Sequence, residues 1–182
     1  MNSSVADLIA ELIAIEGGYS FDKNDSGGET NFGITERIAR RYGYLGPMRD
    51  MPRGVAENIY EQRYWYEPGF YDVSMIFQRV GRELFDTGVN CGQPKAAEFL
   101  QMALNAFNKQ GAYYADIDED GDIGPATIKA LTAYKSVRGA SGELVLLKAM
   151  NCLQGARYIE LSRMRQKDET FVYGWLKERV EL

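Results

Sequence analysis

The chain contains no histidine. That excludes Ser-His-Asp and Cys-His catalytic arrangements, His-ligated zinc and any imidazole proton transfer, and leaves acid–base work to Asp and Glu. Cysteine is scarce. Cys91 and Cys152 are the only two among 182 residues. Two are too few for a disulfide scaffold or a four-thiolate zinc site, so both are expected to be free thiols. No stretch approaches the roughly 18 apolar residues of a membrane span. Positive charge is in deficit: 21 Lys and Arg against 26 Asp and Glu give a net charge of −5. This balance offers no basic face for nucleic acid or for an anionic membrane. The opening run MNSSVADLIAELIAIEGG lacks a basic region and carries Asp7 and Glu11 within its apolar part. It does not read as an ordinary signal peptide, so the expected site of synthesis is the cytoplasm, with a separate route out for work elsewhere.

What is present is an ordinary globular composition, 45 % apolar and 26 % charged, enough for one sizeable core or two small ones. Helical periodicity dominates. Val5, Leu8, Ile9, Leu12 and Ile13 form the stripe of a first helix, with Ser4 as its expected cap and Gly17-Gly18 as its stop. Turn formers crowd residues 19–34, and alternation around Thr30, Phe32 and Ile34 allows a short strand or hairpin. Thr35 caps a helix to about Tyr42, and further helices are expected over about 53–66, 73–89, 95–108, 125–137 and 141–167, before an aromatic tail. The fold class is mainly α, with at most one short β-hairpin after the first helix. A weak boundary at Gly92-Gln93-Pro94 divides the chain into helical subdomains 1–92 and 93–182, expected to pack into one compact body.

The chemistry points to Glu16. A carboxylate at a helix C-terminus meets the negative end of the macrodipole, and apolar neighbours add desolvation. Both favour the protonated form that a general acid needs, and the glycines that follow let a substrate come close. Asp25 lies nine residues on and Thr30 five beyond that. A loop folded back over the helix end would set two carboxylates across a cleft with a hydroxyl to hold water, the arrangement that glycoside hydrolysis uses. Asp22 competes with Asp25 for the second carboxylate. The chain also holds 12 Tyr, 8 Phe and 2 Trp. Sugar rings pack their C–H faces on aromatic planes, so Tyr19, Tyr64, Trp65 and Tyr66 are candidates for substrate contact, although most aromatics at helical spacing serve a core.

Glu16-Gly17-Gly18-Tyr19, Asp25-Ser26-Gly27-Gly28 and Thr30-Asn31-Phe32-Gly33-Ile34-Thr35 together closely resemble glycoside hydrolase family 108, phage-type endolysins that act as N-acetylmuramidases. The resemblance continues through Tyr64-Trp65, Phe85-Asp86 and Val89-Asn90. It then enters a peptidoglycan-binding module at Leu100-Gln101, Asp120-Gly121-Asp122-Ile123-Gly124-Pro125-Ala126-Thr127 and Gly174-Trp175-Leu176. It implies a lysozyme-like helical fold and hydrolysis of the β-1,4 bond between N-acetylmuramic acid and N-acetylglucosamine. Glu16 matches the family's catalytic glutamate. The spacing resembles the Glu–Asp–Thr triad of phage-type lysozymes, which gives Asp25 and Thr30 the placing of water, although in that pattern the threonine lies one residue further on. Ser26 stands where the family commonly has Pro, and Phe32 where it often has Tyr; neither change removes a carboxylate. The resemblance places Tyr19, Asn31, Phe32, Tyr64, Trp65 and Asn90 on the substrate side. It implies no metal or organic cofactor, peptidoglycan glycan strands as the partner, a monomer, and phage or prophage origin with holin-type release to the cell wall.

The acidic run 116–127 departs from that theme. Asp116, Asp118 and Asp120 fill positions one, three and five of an EF-hand loop and Gly121 fills six, but Thr127 stands where the bidentate Glu belongs. A tight turn that does not need calcium is expected. Two rival readings remain: a non-catalytic peptidoglycan-binding or secretion-assisting protein on the same fold, and a calcium-responsive interaction protein. For the cysteines, thiol titration of the unfolded chain without reductant is expected to count both. A count of none would reveal a bridge.

Overall fold

The computed structural model describes residues 5–21 and 28–180, in two compact units, Met1–Glu67 and Pro68–Leu182. Ser4, Asp22, Asp25 and Ser26 lie outside the described residues.

In the first unit, α1 (Val5–Glu16) buries Ile9 and Ile13 and packs on α3 (Arg53–Glu61), which buries Ala56, Ile59 and Tyr60. An antiparallel sheet follows α1: β1 (Ser20–Phe21), β2 (Glu29–Asn31) and β3 (Ile34–Thr35), in that order. It has one strand more than the single hairpin expected. Ser20 pairs with Thr30, and Asn31 with Ile34. Only Phe32 and Gly33 separate β2 from β3, both at positive φ (52° and 72°), as a tight two-residue hairpin requires. Thr35 caps α2 (Glu36–Arg41), its hydroxyl accepting from the Ile38 amide at 3.4 Å. The loop up to α3 contains a 3-10 turn at Met48–Asp50. Asn31, buried on β2, ties that turn to the sheet by donating to the carbonyls of Met48 (2.8 Å) and Arg49 (3.4 Å). After α3 the backbone widens into one π-helical turn, Gln62–Tyr66.

The second unit is entirely helical among the described residues: α4 (Phe70–Ile76), α5 (Gln78–Cys91), α6 (Gln93–Phe107), α7 (Pro125–Arg138), α8 (Ser141–Met164) and α9 (Glu169–Arg179). The single helix expected over 73–89 is two, because Phe77 is extended (φ −134°, ψ 103°) and the chain folds α5 back on α4. Close packing enforces the break. A Cβ on Gly81 would come within 2.5 Å of Ser74 Cβ, and one on Gly88 within 3.0 Å of the Phe70 ring. The expected aromatic tail is α9, whose Trp175 ring lies 5.3 Å from Tyr158 of α8. Cys91 is half-buried on α5, where burial pushes its thiol pKa up, and Cys152 is exposed on α8; both are free.

The acidic run is clamped by α6. Gln101, Asn105 and Asn108 recur at helical spacing along that helix. Gln101, 1 % exposed, accepts from the Gly121 amide (2.9 Å) and turns its NH2 to the Asp120 carboxylate (2.8 Å) and the Asp122 carbonyl (2.9 Å). Asn105 donates to the Ile117 carbonyl and accepts from its amide, and Asn108 donates to the Asp116 carboxylate. The Asp122 amide first, and Gln101 second, hold the Asp120 carboxyl below the usual carboxylate range. Thr127, at the twelfth position, donates to the Asp122 carbonyl (3.3 Å). These are protein-to-protein bonds at the positions an EF-hand would give to calcium.

Gln101→Ala removes an amide that satisfies one donor and several acceptors. It should cost about 1–3 kcal/mol in denaturant unfolding, chiefly because the half-buried Gly121 amide and the buried Thr127 hydroxyl lose a partner. Calcium or excess chelator should leave the melting temperature of the unaltered chain in place. A rise of several degrees at micromolar calcium would show that the loop takes the ion.

Candidate active site

Glu16 ends α1 with its side chain exposed. Solvent therefore reaches the side chain. Its main feature is the β2–β3 turn opposite. A Cβ on Gly33 would stand 2.7 Å from Glu16 Oε2, 2.9 Å from Glu16 Cβ and 2.8 Å from the Tyr60 hydroxyl. All three distances are shorter than van der Waals contact, so only a glycine lets this turn approach α1 and α3 together. Gly33 also needs its positive φ of 72°.

The turn is held from the other side by Tyr60 of α3, whose hydroxyl donates to the Phe32 carbonyl at 2.9 Å. Phe32 is a bulky residue at φ 52°, a conformation that side-chain-bearing residues seldom adopt. Burial pushes the Tyr60 pKa up to about 12, and the negative charge of Glu16 adds to the shift. Tyr60 therefore remains a protonated donor at any pH near neutrality. Its ring stacks on Tyr64, 5.7 Å away and tilted by 25°, with the Arg63 guanidinium 5.4 Å from the Tyr64 ring. Tyr64 lies in the π-helical turn, a distortion frequent at functional sites.

Of the residues singled out in the sequence, the structure brings Glu16, Phe32 and Tyr64 to one locality through Gly33 and Tyr60. Thr30 is half-buried on β2, its hydroxyl 3.5 Å from the Ser20 carbonyl. Tyr19 is half-buried with the Arg49 guanidinium 4.9 Å from its ring, so the tether from Asn31 to the 3-10 turn also carries the group that holds Tyr19. Asn31 uses its amide inside the unit, and Trp65, 7 % exposed, is a core residue there. Asn90 belongs to the second unit, where it donates to the Asp86 carbonyl one turn earlier on α5. Asp22 and Asp25 lie in the segment joining β1 to β2, outside the described residues.

Two residues of this arrangement were not among the sequence candidates. Gly33 is visible in sequence only as a turn former. Tyr60 shows as part of an α3 stripe, and its spacing of four from Tyr64 is the signal that the two rings share a face.

The family described as Glycosyl hydrolase 108 matches residues 9–92, and the one described as Predicted Peptidoglycan domain matches residues 95–180. No curated protein matches the chain. Eleven chains of solved structures do. One, titled Structure of Brucella abortus SagA, is 21 % identical, with a TM-score of 0.50, over 92 % of this chain and 94 % of that one. At that identity the likeness concerns the fold.

The Gly33 contacts generate a direct test. Gly33→Ala adds a methyl where Glu16 and Tyr60 already stand, at a φ that alanine disfavours by about 1 kcal/mol or more. It should lower the melting temperature and cut wall clearing at least about tenfold, because a displacement near 1 Å costs catalysis more than stability. Tyr60→Phe keeps the ring but frees the turn, and should reduce clearing with a smaller loss of stability. Turbidity loss of purified cell wall and thermal unfolding read the two effects separately. By sequence, the chain belongs over residues 9–92 to the glycosyl hydrolase 108 family and over residues 95–180 to the predicted peptidoglycan domain family, the pairing of a glycoside hydrolase that acts on peptidoglycan.

Proposed function

We propose that the chain is an N-acetylmuramidase, cleaving the β-1,4 bond between N-acetylmuramic acid and N-acetylglucosamine. The observation that carries this reading is the exposed Glu16 carboxylate at the end of α1, faced by a side-chain-free Gly33 and by Tyr60. A glycan strand is a long polymer, so its general acid must be reachable at the surface and still fixed in direction. Glu16 is exposed at the surface, and the Gly33 turn and Tyr60 stand beside it. Its proton passes to the bridging oxygen as the bond from C1 to that oxygen breaks, and oxocarbenium-like charge develops on the sugar.

Asp25, with Asp22 as the alternative, supplies the second carboxylate, and Thr30 helps to place the water that completes hydrolysis. Tyr19 and Tyr64 offer ring faces to the sugars. Tyr60 holds the turn opposite Glu16 without giving up its own proton. The 95–180 segment grips the wall. In the same reading the protein is a phage or prophage endolysin, active as a monomer and released to the wall by a holin-type route, as in the endolysins its sequence resembles.

Glu16→Gln keeps the shape and removes the transferable proton. Loss of a general acid costs about 10²–10⁴-fold in rate. Folding should be nearly untouched, since an exposed helix-end substitution changes stability by only about 0.5 kcal/mol. Binding to purified wall should persist. A variant that folds normally and clears wall at near the original rate would remove Glu16 from the acid's role. Mass spectrometry of wall digests reads the bond: reducing-end N-acetylmuramic acid is expected, and reducing-end N-acetylglucosamine or a 1,6-anhydro end would assign a different cleavage.

A further inference from the structure

The 95–180 segment contains an open cavity of about 380 Å³, lined by Phe107, Tyr134, Arg138, Ser141, Gly142 and Val145. Its floor is aromatic: the Phe107 and Tyr134 rings stack at 5.9 Å and 29°. Packing fixes that floor. The Tyr134 hydroxyl donates to the Gly142 carbonyl at 3.0 Å, and Gly142 has no room for a Cβ, which would stand 2.8 Å from both Tyr134 Cε1 and Arg138 Cβ.

One lining residue is a cation, Arg138, in a protein of net charge −5, and Lys109 is its neighbour across the Tyr113 ring. The Arg138 guanidinium lies 5.2 Å and the Lys109 ammonium 5.5 Å from the ring of Tyr113. Among the described residues neither cation forms an ion pair. Lys109 reaches the Tyr113 ring from an unusual backbone. Lys109 and Gln110 are both at φ 57°, ahead of Gly111 at 78°. Asn108 stabilises the turn, its side chain accepting from the Gly111 amide and its carbonyl from the Tyr113 amide. Two successive non-glycine residues in the left-handed region are costly, and such strain concentrates where a site is being shaped.

We propose that this cavity binds the peptide stem of peptidoglycan by a free terminal carboxylate. Arg138, assisted by Lys109, takes the carboxylate, and the hollow between Phe107, Tyr134 and Val145 takes the methyl groups of alanyl residues. The proposal rests on the peptidoglycan reading above and deepens it. A sugar ring asks for converging polar groups to meet its hydroxyls. Both side-chain hydroxyls of the lining are already engaged, Ser141 donating to the Arg138 carbonyl at 3.1 Å and Tyr134 to the Gly142 carbonyl, and the lining has no carboxylate or side-chain amide. A small apolar residue ending in an anion fits an apolar floor with a cation at its edge.

Calorimetric titration of the full chain with diacetyl-L-lysyl-D-alanyl-D-alanine, and with its C-terminal amide, tests this. The acid should bind saturably and the amide about tenfold more weakly or worse, the worth of one charge-assisted pair. Arg138→Gln should cost the acid a similar factor and the amide little, and Lys109→Gln should cost less. Arg138 is exposed, and an unchanged melting temperature of the variant serves as the folding control. Equal binding of acid and amide, or full binding by folded Arg138→Gln, overturns the proposal. So does an N-acetylglucosamine oligomer whose binding is lost in that variant. Wall clearing by the unaltered chain is measured alongside. Clearing without peptide binding removes this site alone, whereas failure to clear or bind wall removes the functional reading on which it rests.

Discussion

The absence of one Cβ, at Gly33, is the constraint on which the first unit's site depends. Three elements converge on that position: the end of α1 through Glu16, the β2–β3 turn through Phe32 and Gly33, and α3 through Tyr60. Each has its own reason to be where it is. α1 and α3 are pressed together by Ile9, Ile13 and Ile59, and the turn is fixed by a two-residue hairpin whose strands are only two or three residues long. A carboxylate can stand at a helix end in any protein. Here the bare backbone of Gly33 comes up beside it, with the Tyr60 hydroxyl bound to the same turn.

The second unit solves a different problem with amides instead of a missing atom. The acidic run carries five Asp or Glu residues within 116–122 and would repel itself if left unsupported. Gln101, Asn105 and Asn108 present donors along one face of α6, so the helix acts as a neutral template for a charged loop. Neutral amides suit the task because each donates to a carboxylate or carbonyl and accepts from a backbone amide, as Gln101 and Asn105 both do. The loop is thereby held by bonds from within the protein.

The sequence makes the helices legible wherever an apolar stripe and a stop coincide. α1 ends at the glycines that follow Glu16, α5 at Gly92, and α7 opens at Pro125. What it does not make legible is contact at zero distance. The break at Phe77 follows from how tightly Gly81 and Gly88 let α5 lie on α4, which periodicity does not encode. Asn31 and Trp65 match a substrate-side motif by residue type, yet in the structure one is a buried tether and the other a core ring. A motif marks residues a family keeps together, and some of these hold the site up without facing it. Tyr60 is the converse case: an aromatic in a core stripe whose hydroxyl turns out to govern a strained turn.

The family boundary and the packing boundary do not coincide, and the difference has a physical basis. By sequence the hydrolase family runs to residue 92, through α4 and α5. By packing these helices belong with those that follow, since α5 lies on α6 and α8, and α4 on α7. The face of α5 that includes Val80, Leu84 and Phe85 is buried within that helical unit. A chain cut at residue 92 would therefore leave α5 with an apolar face and no α6 or α8 to cover it, although every residue of the hydrolase family match would be present. The peptidoglycan segment thus supplies more than a grip on the wall: it completes the core around the last helices of the hydrolase segment, so the two families are joined in this chain by shared apolar packing as well as by sequence order.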